Sequence, residues 1–362
     1  MRKILCHRGI QRSTPIKGNV KKSIGRSLCS LALVPLAFFA VGCASHSHEM
    51  TRSLLEGNEA ALRSDYTTAV NRYEQVLRNS PDSGPARRNL GIVLVKVGQY
   101  ERAKKNLLEV LPRYQDDVEI LYFLGECSRG LEDYSAAADY YQRSQHIDAT
   151  DLRITKALAW TWYKMHQYDK SLPVAEGLLK RYPGDLQLKL IAASTYNKQS
   201  RFQKTIELLA PVEKVGFKVY SRDMVSAESE RALLMTALAD AYAGSQDCKR
   251  ADALYSEVLR TRPFLASALI GSARCDIARN ENTKAISKLE KAAHANPDFA
   301  EPYFLLGRLY AHTEANKAIL YYRRFLILTQ NNKDFSKEIQ VTRTALSEVE
   351  RATNRSNTVN GK

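Results

Sequence analysis

The 362-residue chain contains no Cys-x-x-Cys pair, no glycine-rich phosphate loop and no Gly-x-Ser-x-Gly motif. Those absences remove zinc knuckles, thiol oxidoreductases, P-loop nucleotide enzymes and elbow-type serine hydrolases. His48-Glu49-Met50-Thr51-Arg52 opens like a zinc-protease motif, but Arg52 stands where the second histidine ligand is required. His46 and His48 alone make a poor site, so no metal, no cofactor and no small-molecule substrate is expected. Acid is missing from the first 42 residues, whereas eight basic residues lie there, Arg2, Lys3, Arg8, Arg12, Lys17, Lys21, Lys22 and Arg26. The formal charge of +15 is therefore concentrated at one end; without that segment 46 basic residues face 39 acidic ones, +7. Binding to nucleic acid needs a larger excess gathered on one face, so an excess this small argues against nucleic acid as a partner. A long apolar run is also absent. The longest, residues 28–41, has 14 residues, too few to cross a bilayer, which takes about 20.

A basic stretch followed by a short apolar one reads as a signal peptide. It ends in Ala40-Val41-Gly42-Cys43, which resembles the lipobox of bacterial lipoproteins. Small residues admit the backbone to a peptidase, and the thiol is the nucleophile for acyl transfer. The resemblance implies that residues 1–42 are removed and that Cys43 is acylated. More than one acyl chain is needed for a stable anchor. Ala44 follows the cysteine, which by the resemblance favours the outer membrane, lipid-anchored and facing the periplasm. Residues 43–49 read as the lipidated tether.

From residue 50 the chain repeats. Gly57, Gly91 and Gly125 are 34 apart, as are Tyr66, Tyr100 and Tyr134, and Ala69, Ala103 and Ala137. Tyr73, Leu107 and Tyr141 follow those alanines by four. A fourth unit carries Ala159, Tyr168, Ser171, Ala175 and Pro183; a fifth Ala193, Tyr196 and Phe202. Three later units carry Ala239, Tyr242, Ala251, Tyr255 and Pro263; Ala273, Ala285, Leu289, Ala292 and Pro297; and Tyr303, Leu306, Gly307, Tyr310 and Tyr322. Glycine inside a helix costs about 1 kcal/mol relative to alanine, so each needs a packing reason: two helices cross there. The prolines end the second helix of a unit.

This 34-residue pattern resembles the tetratricopeptide repeat. The resemblance implies an all-α, right-handed solenoid of about eight helix pairs, here called A and B within each unit. Five repeats are expected over 50–219 and three over 232–332. Residues 220–231 break the register as a hinge, a loop or an extended first helix of unit six. Residues 333–353 form a capping helix and 354–362 a disordered tail.

In such arrays the A helices line a concave groove that receives a peptide or a partner's helix. By that register the groove holds Arg88, Asn89, Tyr122, Glu126, Arg129, Lys156, Trp160, Tyr163, Lys164, Ser194, Asn197 and Lys198, then Arg274, Phe304 and Arg308. Both tryptophans, Trp160 and Trp162, fall in unit four, with Trp160 towards the groove. Basic and aromatic residues together suit an acidic or C-terminal peptide, although the same residues also serve as apolar cover and solvated lysines. Cys127 and Cys275 read as core fillers, and Cys248 and Cys275 lie in neighbouring units, where a disulfide is conceivable in an oxidising periplasm. The expectation is a non-enzymatic scaffold of other proteins. Lipoproteins of this architecture resemble assembly factors of type IV and tight-adherence pili. The alternatives are an adaptor for peptidoglycan hydrolases or proteases, and a polysaccharide-export component holding sugar chains in the groove.

Overall fold

The computed structural model describes residues 35–215, 224–330 and 335–360, with side chains over 49–215, 228–330 and 335–353. Residues 1–34 and the side chains of Cys43, His46 and His48 lie outside these. Among the described residues there are seventeen α-helices and no strand. They run as consecutive pairs, α1 (Pro35–Leu62) with α2 (Tyr66–Asn79), α3 (Gly84–Lys96) with α4 (Tyr100–Val110), α5 (Val118–Gly130) with α6 (Tyr134–Ile147), and α7 (Leu152–Lys164) with α8 (Tyr168–Arg181). The series continues with α9 (Leu186–Lys198) and α10 (Phe202–Lys214), α11 (Met224–Gly244) and α12 (Cys248–Thr261), α13 (Ala266–Ala278) and α14 (Asn282–Ala295), and α15 (Ala300–Tyr310) and α16 (Ala315–Thr329). A last helix, α17 (Ser336–Asn360), packs on α16. The expected all-α stack of eight pairs and a terminal helix is what the structure contains. No helix among the described residues is long and apolar enough to cross a membrane.

The repeated residues explain the pairing. A Cβ placed on Gly91 would lie 2.6 Å from Cγ of Leu107 on the partner helix, and one on Gly125 2.5 Å from the Tyr141 ring. The alanines facing these crossings, Ala69, Ala103, Ala137, Ala251 and Ala285, are fully buried. Helices α2, α8, α12 and α14 stop two residues before Pro81, Pro183, Pro263 and Pro297, because the residue ahead of a proline is driven out of the helical region. Aspartates start many of the helices. Asp65, Asp117, Asp133, Asp185 and Asp247 each accept a hydrogen bond from the backbone N–H three residues on, a cap worth about 1 kcal/mol.

Between helices A and B one residue turns left-handed, at Ser64, Gly98, Glu132, His166, Ser200, Gln246 and Asn280. Such a residue closes a helix C-terminus by reversing the chain within one step. Unit eight lacks it. Gly307 and Ala318 are eleven apart where the other units have twelve, so the missing residue is the turn itself, and α15 ends in Thr313 and Glu314 bonding back to the Tyr310 carbonyl.

Residues 220–223 of the register break lie outside the described residues; 224–231 are the opening of α11, which is 21 residues long against 13 for α3, α5, α7, α9 and α13. The core crosses this boundary. Leu190, Leu209 and Val212 of unit five pack with Leu234, Leu238 and Tyr242 of α11. Helix α17 runs on to Asn360, past the position where the capping helix was expected to stop.

Candidate functional site

Several A helices pack on the next A helix as well as on their own B helix, as α3 does on α5, α7 on α9, and α11 on both α9 and α13. The stack therefore curves with A helices inside. Their inner faces enclose a cleft of about 460 Å³ between α5, α7, α9 and α11. Its floor is apolar, built by Tyr122, Ala157, Trp160, Leu190, Ile191 and Leu233; Glu126, Arg129, Arg153, Lys156 and Gln187 stand around it.

The aromatic rings are continuous. Trp160 and Tyr163 lie 5.1 Å apart between ring centres, and Tyr163 and Tyr168 6.0 Å. Burial, helped by the neighbouring Tyr168, pushes the Tyr163 phenol up to about 12, while the Ser194 hydroxyl bonds to it. Burial and then the Glu126 carboxylate push Tyr122 up to about 12 as well. Neither phenol ionises at neutral pH, so both act as neutral surfaces.

The charged residues are closed on one another. Tyr141 Oη donates to Glu126 Oε1 at 2.5 Å, and Arg129 pairs with Glu126 Oε2 at 2.6 Å. Burial disfavours the Arg129 charge, but the Glu126 hydrogen bond outweighs it and holds the guanidinium above its ordinary range. Arg153 meets Glu119 at 2.5 Å and Asp151 at 2.7 Å. Lys156 Nζ lies 2.9 Å from Asp185, which also caps α9.

The residues expected along the groove thus separate into two kinds. Tyr122, Arg129, Lys156 and Trp160 line the cleft, and Tyr163 extends its aromatic side. Arg88 instead reaches Asp117, the cap of α5, at 2.8 Å. Asn89 donates to Asn58 of unit one at 2.9 Å, and Asn197 to the Ala237 carbonyl of α11 at 2.7 Å. Lys164 lies over the Tyr134 ring, 5.3 Å from its centre, at the junction with the preceding B helix. Lys198 is exposed and faces Asp240. Arg274 pairs with Glu301 at 2.5 Å, and Arg308 sits over the Phe304 ring. Several polar groups read as ligand contacts are links between consecutive units. Leu233 was not anticipated: it sits beyond the register break, and aligning unit six across the twelve-residue step would have placed it.

Two further features lie in the second array. Cys248 of α12 and Cys275 of α13 form a disulfide with Cα atoms 5.5 Å apart, and Cys127 is a buried free thiol. Beside the disulfide, Asp276, only 1% exposed, meets Arg279 at 2.7 Å and Lys288 at 2.6 Å. Arg279 also meets Asp252 at 2.6 Å, so α12, α13 and α14 are tied at one place. On α11, Asp240 accepts from Tyr255 Oη of α12 at 2.6 Å. Burial pushes its carboxyl up to about 6 against that hydrogen bond and the attraction of Arg274. No cluster of three or more metal-ligating side chains occurs among the described residues.

Helix hairpins stacked by a repeating crossing, with a cleft on the inner face of the A helices, define a helical solenoid. Within that class the chain is a tetratricopeptide-like array, and residues 60–127 match the tetratricopeptide repeat family model. Tetratricopeptide repeat protein 12 of Mus musculus is 28% identical over 93 residues, 26% of this chain. The chain spans 13% of the length of that relative. A tetratricopeptide repeat protein from Parabacteroides merdae superposes with a TM-score of 0.55 at 14% identity, covering 78% of this chain and all of that one. The Cut9–Hcn1 assembly of the APC/C gives 0.54 at 13% identity, covering 80% and 55%. A human IFIT1 dimer with PPP-AAAA gives 0.56 at 16%, covering 79% and 71%. At these identities the likeness is one of fold. Proteins built on this repeat are interaction scaffolds, typically without catalytic activity.

Proposed function

We propose that the chain is a lipid-anchored scaffold of the bacterial envelope that holds protein partners in the cleft between α5, α7, α9 and α11. The observation that carries this reading is the cleft itself, lined by Trp160 on the inner face of a repeat array with the Tyr163 ring 5.1 Å from it. Two features support the compartment. The basic leader ending in Gly42-Cys43 suits export and acylation, and a Cys248–Cys275 disulfide persists in oxidising compartments and rarely in the cytosol. The anchor is Cys43, the membrane the outer one, and the array faces the periplasm. The work is assistance to the assembly of an envelope machine such as a type IV or tight-adherence pilus. It is done by binding, without catalysis.

The test is in-cell photo-crosslinking from Tyr163, with Trp160→Ala as control and mass spectrometry of the product. Capture of a secretin or pilus subunit that disappears in the control supports assembly. A peptidoglycan hydrolase, a protease or a glycan in its place moves the function to an adaptor or to polysaccharide export. Cys43→Ser moves the protein from the membrane fraction to the soluble one; retention in the membrane overturns the anchor.

A further inference from the structure

The inner face was expected to attract acidic ligands, and its chemistry points elsewhere. Resting on the cleft as the working surface, we propose that it takes a bulky apolar side chain, aromatic or branched aliphatic, from an uncharged segment of a protein partner.

The first argument is charge. Each ionic side chain lining the cleft has an internal counter-ion: Arg129 has Glu126, Arg153 has Glu119 and Asp151, and Lys156 has Asp185. Two of these carboxylates are not free to leave. Asp151 and Asp185 hold the N-termini of α7 and α9 by accepting backbone N–H bonds. An acidic ligand would have to compete with groups fixed by the fold, and a basic one would meet no unmatched carboxylate in the cleft. Breaking a partly buried pair leaves one charge uncompensated, so neither polarity of ligand is favoured.

The second argument is Leu233. It is 41% exposed, on α11, and points into the cleft. Of the seven matching positions in the other units six are polar, Thr51, Glu119, Arg153, Gln187, Ser267 and Glu301, and the seventh is Pro85. Unit six therefore departs from the pattern at the one place where its A helix closes the cleft. Together with Trp160, Tyr122, Leu190 and Ile191 it makes an apolar floor with a solvent-facing opening. A volume of about 460 Å³ is of the size that side-chain and small-ligand sites use, room for one aromatic side chain with its flanking backbone. Gln187 is the cleft's uncharged polar side chain, and its amide offers one donor group and one acceptor to that backbone.

Both arguments make the interaction insensitive to salt, because screening acts on exposed charge and not on apolar burial. The experiment is selection of a displayed library of random twelve-residue peptides on the full chain, followed by affinities of the winners in 50 and 500 mM NaCl. The expected winners share an aromatic or branched aliphatic residue, carry no acidic run, and change affinity less than threefold with salt. Leu233→Asp weakens them tenfold or more, and Leu233→Met restores them. Because Leu233 is exposed, the variant keeps the thermal midpoint of the parent. Winners rich in Asp or Glu, or binding that Leu233→Asp leaves unchanged, overturn the proposal. So does a library without winners, or binding of an N-acetylglucosamine tetramer in their place. The reading of the cleft as a working surface is judged separately, by crosslinking from Tyr163, and stands or falls on that result.

Discussion

At single residues the close crossings decide most. Gly125 faces the Tyr141 ring at a distance no Cβ tolerates, and Tyr141 is held in turn by Glu126. Gly125→Val is expected to lower unfolding stability by about 1–3 kcal/mol through overpacking, read from a urea midpoint. The opposite sign is expected at Glu132, one of six residues other than glycine in the left-handed turns. An L-residue there carries a steric penalty of about 1–2 kcal/mol, part of which glycine returns as unfolded-state entropy. Glu132→Gly should raise stability by about 0.5–1 kcal/mol, and a lower midpoint would refute the strain. Asp240 adds a pH dependence. Its carboxyl is raised to about 6 from an unfolded value near 3.8, so the folded chain binds the extra proton between those values. Its contribution is then full below about pH 4 and is lost as pH rises through about 6. Asp240→Asn should stabilise the protein more at pH 7.5 than at pH 4.5, measured by paired denaturation curves. Equal effects at both would show that the carboxyl titrates as if exposed.

Whole helices show what the sequence made legible. Their number, pairing and ends follow from glycine, alanine and proline recurring every 34 residues, because each of those residues answers a local steric demand. The polar face was less legible. Arg88 and Lys156 looked like ligand cations, yet each reaches the aspartate 29 residues on that caps the next A helix. The recurrence of that spacing was a signal, and it is a contact between units that a reading within one unit passes over. Leu233 escaped for a different reason, since a twelve-residue break hid its place in the repeat. The Cys248–Cys275 link spans two helices of neighbouring units with a sequence separation of 27. Closing a loop of that length stabilises by about 3–4 kcal/mol on chain-entropy grounds. Reduction should lower the unfolding midpoint accordingly, while alkylation and intact mass follow the thiols. An unchanged midpoint would place the stability of this region in the Asp276 network instead.

For the molecule entire, contacts run mainly between neighbours along the chain. Stability is then close to a sum over units and their interfaces, and local opening in one unit leaves distant ones standing. Pulled from both ends, such an array pays out length unit by unit. The bond from Cys248 to Cys275 withholds the segment between them, which removes about 90 Å from the fully stretched contour at 3.3–3.6 Å per residue over a separation of 27. In an optical trap the oxidised protein should extend by that much less than the reduced one. The covalent tie thus acts as a stop on how far the second array can be drawn out.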